Sequence, residues 1–141
     1  MTTRDTLLGT RRFAVYIPVA WATAGTTGEE PALRAPIRLQ VTAVRFIAKA
    51  AITGHATNYA TVSVENKGAA GTGTTEVASF AFDTPTTDDV AAFDEKAITL
   101  SGTAANLILV AGDVVSIKKA VAASGLAVSG IIIIEGTPVG S

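Results

Sequence analysis

A chain of 141 residues with 11 Lys and Arg against 12 Asp and Glu, a formal net charge of −1, has no overall basic field with which to draw in nucleic acid. It has no cysteine, which removes disulfides, thiolate nucleophiles and zinc–thiolate sites together. The composition is 48% hydrophobic but only 6% aromatic, a mixture suited to pleated sheets, and its 16% charged share falls below the roughly 25% usual in globular domains, leaving surface for neighbours to cover.

The length fits one domain with one core. No apolar run approaches the roughly 20 residues of a membrane helix, Ile131 to Ile134 being strand-sized, so no membrane association is expected. The leading MTTRDTLLGTRR lacks the continuous apolar centre of a secretion signal, and export by that route is not expected. Residues 1–12 carry Arg4, Arg11 and Arg12 around two large apolar residues, Leu7 and Leu8, too few to anchor a core element. They read as an arm ahead of a β domain over residues 13–141. Either its arginines dock on the carboxylates of a neighbouring chain or it packs on its own domain.

From Phe13 to Val19, large apolar residues alternate with Ala14 and Tyr16, and Pro18 is tolerable only on a sheet edge or at a bulge, so this is an edge strand. Trp21 to Ala35 gathers Gly25, Gly28, Glu29, Glu30 and Pro31, the composition of a surface loop. Within it Trp21 is either an anchor for a partner or an indole folded over the core. From Ile37 the apolar positions are odd (Ile37, Leu39, Val41, Ala43) and then even (Val44, Phe46, Ala48, Ala50, Ile52). A change of parity near Thr42 predicts a β-bulge or a corner between sheets, with Arg45 and Lys49 on the outward side.

His55, the single histidine, lies beside Gly54 with no second imidazole or thiolate for a metal site and reads as a loop residue. Thr57 to Phe82 reads as a β-hairpin. Ala60, Val62 and Val64 share one face, Tyr59, Thr61, Ser63 and Glu65 the other, and Ala78, Phe80 and Phe82 return along the core side. Its connection, Asn66 to Thr74, holds Gly68, Gly71 and Gly73. A phosphate-binding loop would need a lysine with serine or threonine and then a helix, whereas this loop runs into Glu76 and a strand.

Asp83 to Lys96 collects Asp83, Asp88, Asp89, Asp94 and Glu95. The spacing lacks the alternating acids and central glycine of a calcium loop, and Thr87 followed by Asp88 and Asp89 predicts instead a short capped helix with Val90 and Phe93 turned inward. Four further strands are predicted over 97–101, 106–110, 114–119 and 127–135, the third of which also satisfies a helical stripe. The all-apolar run Ile131 to Ile134 fits a strand covered on both faces or at a subunit contact.

Eight or nine short strands with turn signals between them and at most one short helix define an all-β chain, an antiparallel β-sandwich of jelly-roll or Greek-key type. One histidine and no cysteine leave no recognisable catalytic constellation, so an enzyme is not expected; no cofactor or metal is called for either.

The hairpin NYATVSVENKGAAGTGTTEVASF, the segment ITLSG and the stretch VAGDVVSIKKAVAASGLAVSGIIIIEG resemble the strand-and-turn pattern of small jelly-roll proteins of tailed bacteriophages, in particular head decoration or cement proteins. The pattern covers about two thirds of the chain and leaves out the arm. The resemblance implies a non-enzymatic virion protein on the outer capsid surface, often a homotrimer, whose partners are the major capsid protein and its own copies. The candidate interface is then Arg4, Leu7, Leu8, Arg11, Arg12 and Trp21. Two other readings stay open: a neck, tail or baseplate component, and a carbohydrate-binding module whose platforms would be Tyr16, Trp21 and Tyr59.

Overall fold

The computed structural model describes residues 12–140. Nine strands follow one another along the chain: β1 (Phe13–Trp21), β2 (Gly28–Arg34), β3 (Leu39–Ala48), β4 (Ala60–Gly68), β5 (Thr75–Ala81), β6 (Glu95–Leu100), β7 (Ile108–Leu109), β8 (Val114–Val121) and β9 (Val128–Pro138). A four-residue 3-10 helix, Ala104–Leu107, precedes β7; among the described residues there is no α-helix.

All pairings are antiparallel, and they are nested. β1 pairs β9, β2 pairs β8, β3 pairs β6 and the short β7, and β4 pairs β5. A long hairpin rolled up on itself gives this order, the jelly roll. One sheet reads β1-β9-β3-β6 and the other β2-β8-β4-β5. They are joined where the end of β6, Thr99 and Leu100, leaves β3 to pair Ser79 and Ala78 of β5.

Alternation along each strand fills the space between the sheets. Ile17, Val19 and Trp21 of β1, Val44 and Phe46 of β3, and Ile132 and Ile134 of β9 meet Val62 and Val64 of β4, Phe82 beyond β5, and Val115 and Ile117 of β8, all buried. Phe46 and Phe82 stand edge to face with ring centres 6.3 Å apart.

The parity change in β3 is a bulge. Its register against β9 shifts between Val41 and Ala43, so Thr42 is the extra residue that lets Leu39 and Val41 and then Val44 and Phe46 all face inward. The hairpin forms as predicted, with Gly68 (φ 70°) and Gly71 (φ 75°) turning its tip. The segment from Val114 is a strand, not a helix, and β9 runs down the middle of its sheet between β1 and β3.

Three expectations are corrected. The supposed loop from Trp21 to Ala35 contains β2, an edge strand whose register against β8 shifts between Pro31 and Leu33, which is how a proline fits within it. Its sequence, GEEPALR, has no apolar alternation because it hides little: every residue of it is exposed or half-buried. The helix expected after Thr87 is absent. Residues 83–94 make turns, with Asp88 accepting from the Thr84 N–H (2.7 Å) and Asp89 from the N–H groups of Thr86 (3.2 Å) and Gly54 (2.8 Å). These carboxylates cap turn amides, so Phe93 points outward rather than into the core. The predicted strand over 106–110 is mostly the 3-10 turn, with only Ile108 and Leu109 pairing β3.

Candidate interaction surface

The outer face of the β1-β9-β3-β6 sheet is built in cross-strand rows set by the register. Ala14, Glu135 and Ala43 form one row; Tyr16, Ile133 and Arg45 the next; Pro18, Ile131 and Ile47 the third. Ala20 and Ser129 begin a fourth, and Lys49 joins it by donating its backbone N–H to the Ser129 carbonyl at 2.9 Å. Successive rows lie about 7 Å apart, two residues along a strand. The middle rows carry large apolar side chains where an outer face is usually polar: Tyr16 is 64% exposed and Ile131 38%.

Phe93 adds to this face. It sits in the left-handed region at φ 65°, donating its N–H to the Ala48 carbonyl, and the residue is 82% exposed. A bulky side chain held there costs about 1–2 kcal/mol. Phe93, Pro18, Ile47, Ile131 and Lys49 line a shallow groove of about 460 Å³. Gly130 underlies it at φ 154°, where a Cβ would run into the Ile47 carbonyl oxygen, so β9 approaches β3 closely at this point.

At the other end of the face the charges are paired. Arg45 bridges Glu95 (2.8 Å) and Glu135 (3.6 Å), and Glu95 first, then Glu135, raises the basicity of its guanidinium. Arg12 lies beside Glu135 and Thr42 there, on the outward side of the sheet. The outer face of the opposite sheet is polar: Lys67 joins Glu29 and Glu65, both at 2.8 Å, and Lys118 approaches Glu65 at 3.5 Å. The bond from Lys67, and then that from the Ser116 hydroxyl, holds the Glu29 carboxyl below its ordinary range. The two outer faces therefore differ in kind, one apolar and one a lattice of ion pairs.

Of the candidate interface residues, Arg4, Leu7, Leu8 and Arg11 lie outside the described residues. Arg12 is exposed at the start of β1. Trp21 ends β1 and is only 8% exposed; its indole fills the space that a side chain at residue 28 would take, and its Nε1 has no hydrogen-bond partner among the described residues. The ring folds into the end of the sandwich, the second of the two readings open for it. His55 is a loop residue whose Nδ1 accepts from the N–H groups of Thr57 (3.1 Å) and Asn58 (2.9 Å). Among the described residues no three acidic or histidine side chains are grouped to hold a metal ion.

Sequence reasoning missed two features. Phe93 was expected inside, because its local spacing fits a helix. Lys119 carries no sequence signal of burial, yet it is wholly buried and its ammonium donates to the carbonyls of Thr23 (2.8 Å) and Ala24 (3.1 Å). With no carboxylate near, desolvation pushes its pKa down. The signal for the apolar face was present: Ala14, Tyr16, Pro18 and Ala20, the outward positions of β1, are all uncharged, and β9 offers four isoleucines in succession.

No protein-family model matches the chain, and no curated protein matches it. Among solved structures it is similar to that of infectious bursal disease virus Gx strain, with 11% identity and a TM-score of 0.41 over 93% of this chain and 32% of that one. It is also similar to the Gt strain structure, with 12% identity and a TM-score of 0.35 over 92% of this chain and 33% of that one. The crystal structure of the infectious bursal disease virus VP2 subviral particle gives 12% identity and a TM-score of 0.20 over 89% of this chain and 41% of that one. The chain thus spans about a third to two fifths of the length of these structures. The fold assignment rests on the strand pairing itself.

Proposed function

We propose that this chain is a non-enzymatic virion structural protein that decorates a phage capsid from outside, bridging major capsid subunits as a homotrimer. The observation that carries the reading is the uncovered apolar face of one sheet, around Tyr16, Pro18, Ile131 and Phe93, opposite an ion-paired polar face. A contiguous exposed apolar patch on a small domain marks a surface meant for another polypeptide. The jelly-roll strand order agrees with what the resemblance to phage decoration proteins implies. Since that fold serves many functions, the surface and the resemblance carry the argument.

The mechanism is mass action. A trimer touching several capsid subunits binds the assembled lattice better than it binds free subunits, and so stabilises the shell against internal pressure. Deleting residues 1–12 is expected to lower occupancy on purified shells while leaving the melting of the isolated domain unchanged. Undiminished occupancy would overturn the arm's part in attachment. Imaging the native particle and counting copies separates this role from a neck, tail or baseplate position, since decoration covers a whole shell and the others form a ring. The carbohydrate-binding reading has lost two of its three platforms: Trp21 is buried and Tyr59 half-buried, leaving Tyr16.

A further inference from the structure

We infer that residues 22–27, which join β1 to β2, are a strap that opens as a unit and bares the buried indole of Trp21, and that Lys119 is the latch holding it shut. The inference concerns this end of the sandwich alone and holds whatever the chain is attached to.

The strap is weakly tied. Its sequence, ATAGTT, has no large apolar side chain, and all six residues are exposed. Among the described residues it makes one hydrogen bond within itself, from the Thr26 N–H to the Thr23 carbonyl at a long 3.3 Å. Two more tie it to the body, and both come from the Lys119 ammonium, at 2.8 Å to the Thr23 carbonyl and 3.1 Å to that of Ala24. A hollow of about 160 Å³ is bounded by Ala20, Trp21, Ala22, Thr23, Thr26 and Thr27. Few buried contacts and a solvated backbone are the marks of a segment that opens locally.

Two costs of the closed state fall under this one strap. Trp21 is buried, and its Nε1–H has no hydrogen-bond partner among the described residues, so it bears the desolvation of a donor without the compensating bond. The Lys119 ammonium is buried without a counter-charge. Its cross-strand neighbours, Val62 on β4 and Gly28 on β2, are uncharged, and Lys118 and Glu29 stand on the outer face of the sheet. Desolvation accordingly lowers its basicity. Opening brings water to both groups at once, and what opposes it is the pair of charge-assisted bonds from Lys119, which are stronger than bonds between neutral groups.

The strap's ends meet at the indole. Trp21 ends β1, Gly28 begins β2, and a Cβ at residue 28 would run into the Trp21 Nε1. Gly125, at φ 64°, lets the turn between β8 and β9 lie against the Ala24 carbonyl oxygen, which a Cβ there would strike. Trp21 is thus a core residue when the strap is closed and a large exposed anchor when it opens. A partner that binds the open form shifts the population toward it.

Trp21 is the single tryptophan, so its indole N–H gives one proton signal whose exchange with deuterated water reads the opening directly. In the full-length protein it should exchange at least about tenfold faster, corrected for intrinsic rates, than the amides of Phe46 and Ile132, which lie on strands paired on both sides and wait for global unfolding. Equal protection would mean that only unfolding bares the indole, and would overturn the strap. Lys119→Met keeps the stem and removes the donors, so it should raise the ratio of indole to core exchange by about another tenfold. An unchanged ratio would overturn the latch. Should that variant fail to fold, Gly125→Ala takes its place: its Cβ displaces the Ala24 carbonyl from the ammonium, the same rise is expected, and an unchanged ratio again overturns the latch.

Discussion

Lys119 is the residue whose chemistry departs furthest from its type. Its stem runs between the sheets and its ammonium ties the carbonyls of Thr23 and Ala24, closing the β1–β2 loop over the end of the core. Burial without a counter-charge lowers its pKa, so in the interval between the folded value and the roughly 10.4 of a free lysine, the unfolded chain binds the proton that the folded one has released. Stability attributable to this group therefore rises with pH through that interval, and the charge-burial penalty is fully present below it. The neutral amine still has N–H groups for the two carbonyls. Urea unfolding of wild type and Lys119→Met across pH 7 to about pH 10.5 should show the difference moving in favour of wild type as pH rises. A difference constant with pH would mean that the ammonium is not desolvated. Phe93 is the complementary case, an aromatic ring held outside by a backbone conformation it does not favour.

β3 is the element on which the fold turns. It pairs β9 along one side and β6 and β7 along the other, and its bulge at Thr42 keeps both halves of its apolar sequence on the core side. Without the extra residue, one half must face solvent, exposing either Leu39 and Val41 or Val44 and Phe46. Each such side chain is worth about 1.5–3 kcal/mol of burial, so deleting Thr42 should cost at least about 3 kcal/mol in urea unfolding. A loss below 1 kcal/mol, on the order of an exposed substitution, would show that the bulge can relax elsewhere. The edge strands show the opposite economy: β1 has Pro18 and β2 has Pro31 beside a bulge, devices that discourage unwanted pairing at an open edge.

At the scale of the molecule, the nested pairing brings β1 against β9 and β2 against β8, so the first and last strands meet on one sheet and their outward residues form one surface. Its exposed apolar side chains, Tyr16 and Ile131 among them, are what a neighbour would cover under the proposed function. Association that buries it must raise apparent stability with concentration, because the assembled form alone gains the contact. The melting temperature is thus expected to climb over a range of protein concentrations, and Ile131→Glu, at a partly exposed position, should remove the dependence while leaving the melting of dilute protein within a few degrees. A concentration-independent transition in the wild-type protein would mean that the face stays open in solution.

The alternation of apolar residues along the chain by itself determined the hairpin, the phase slip near Thr42, the edge character of β1 and the antiparallel sandwich, because a period of two and its interruption are local properties of strands that hide one face; that the slip is a bulge and not a corner was decided by the pairing of β3 with β9. It could not reveal β2, which hides neither face, nor the conversion of an apparent helix at Thr87 into turns, because the amides that Asp88 and Asp89 satisfy include one from a distant loop, that of Gly54. Nor could it say which of the consecutive isoleucines of β9 face the core. Ile131 and Ile132 are equal as letters, and only the pairing of β9 between β1 and β3, with the second sheet packed on one side alone, decides that Ile132 lies in the core and Ile131 on the outer face.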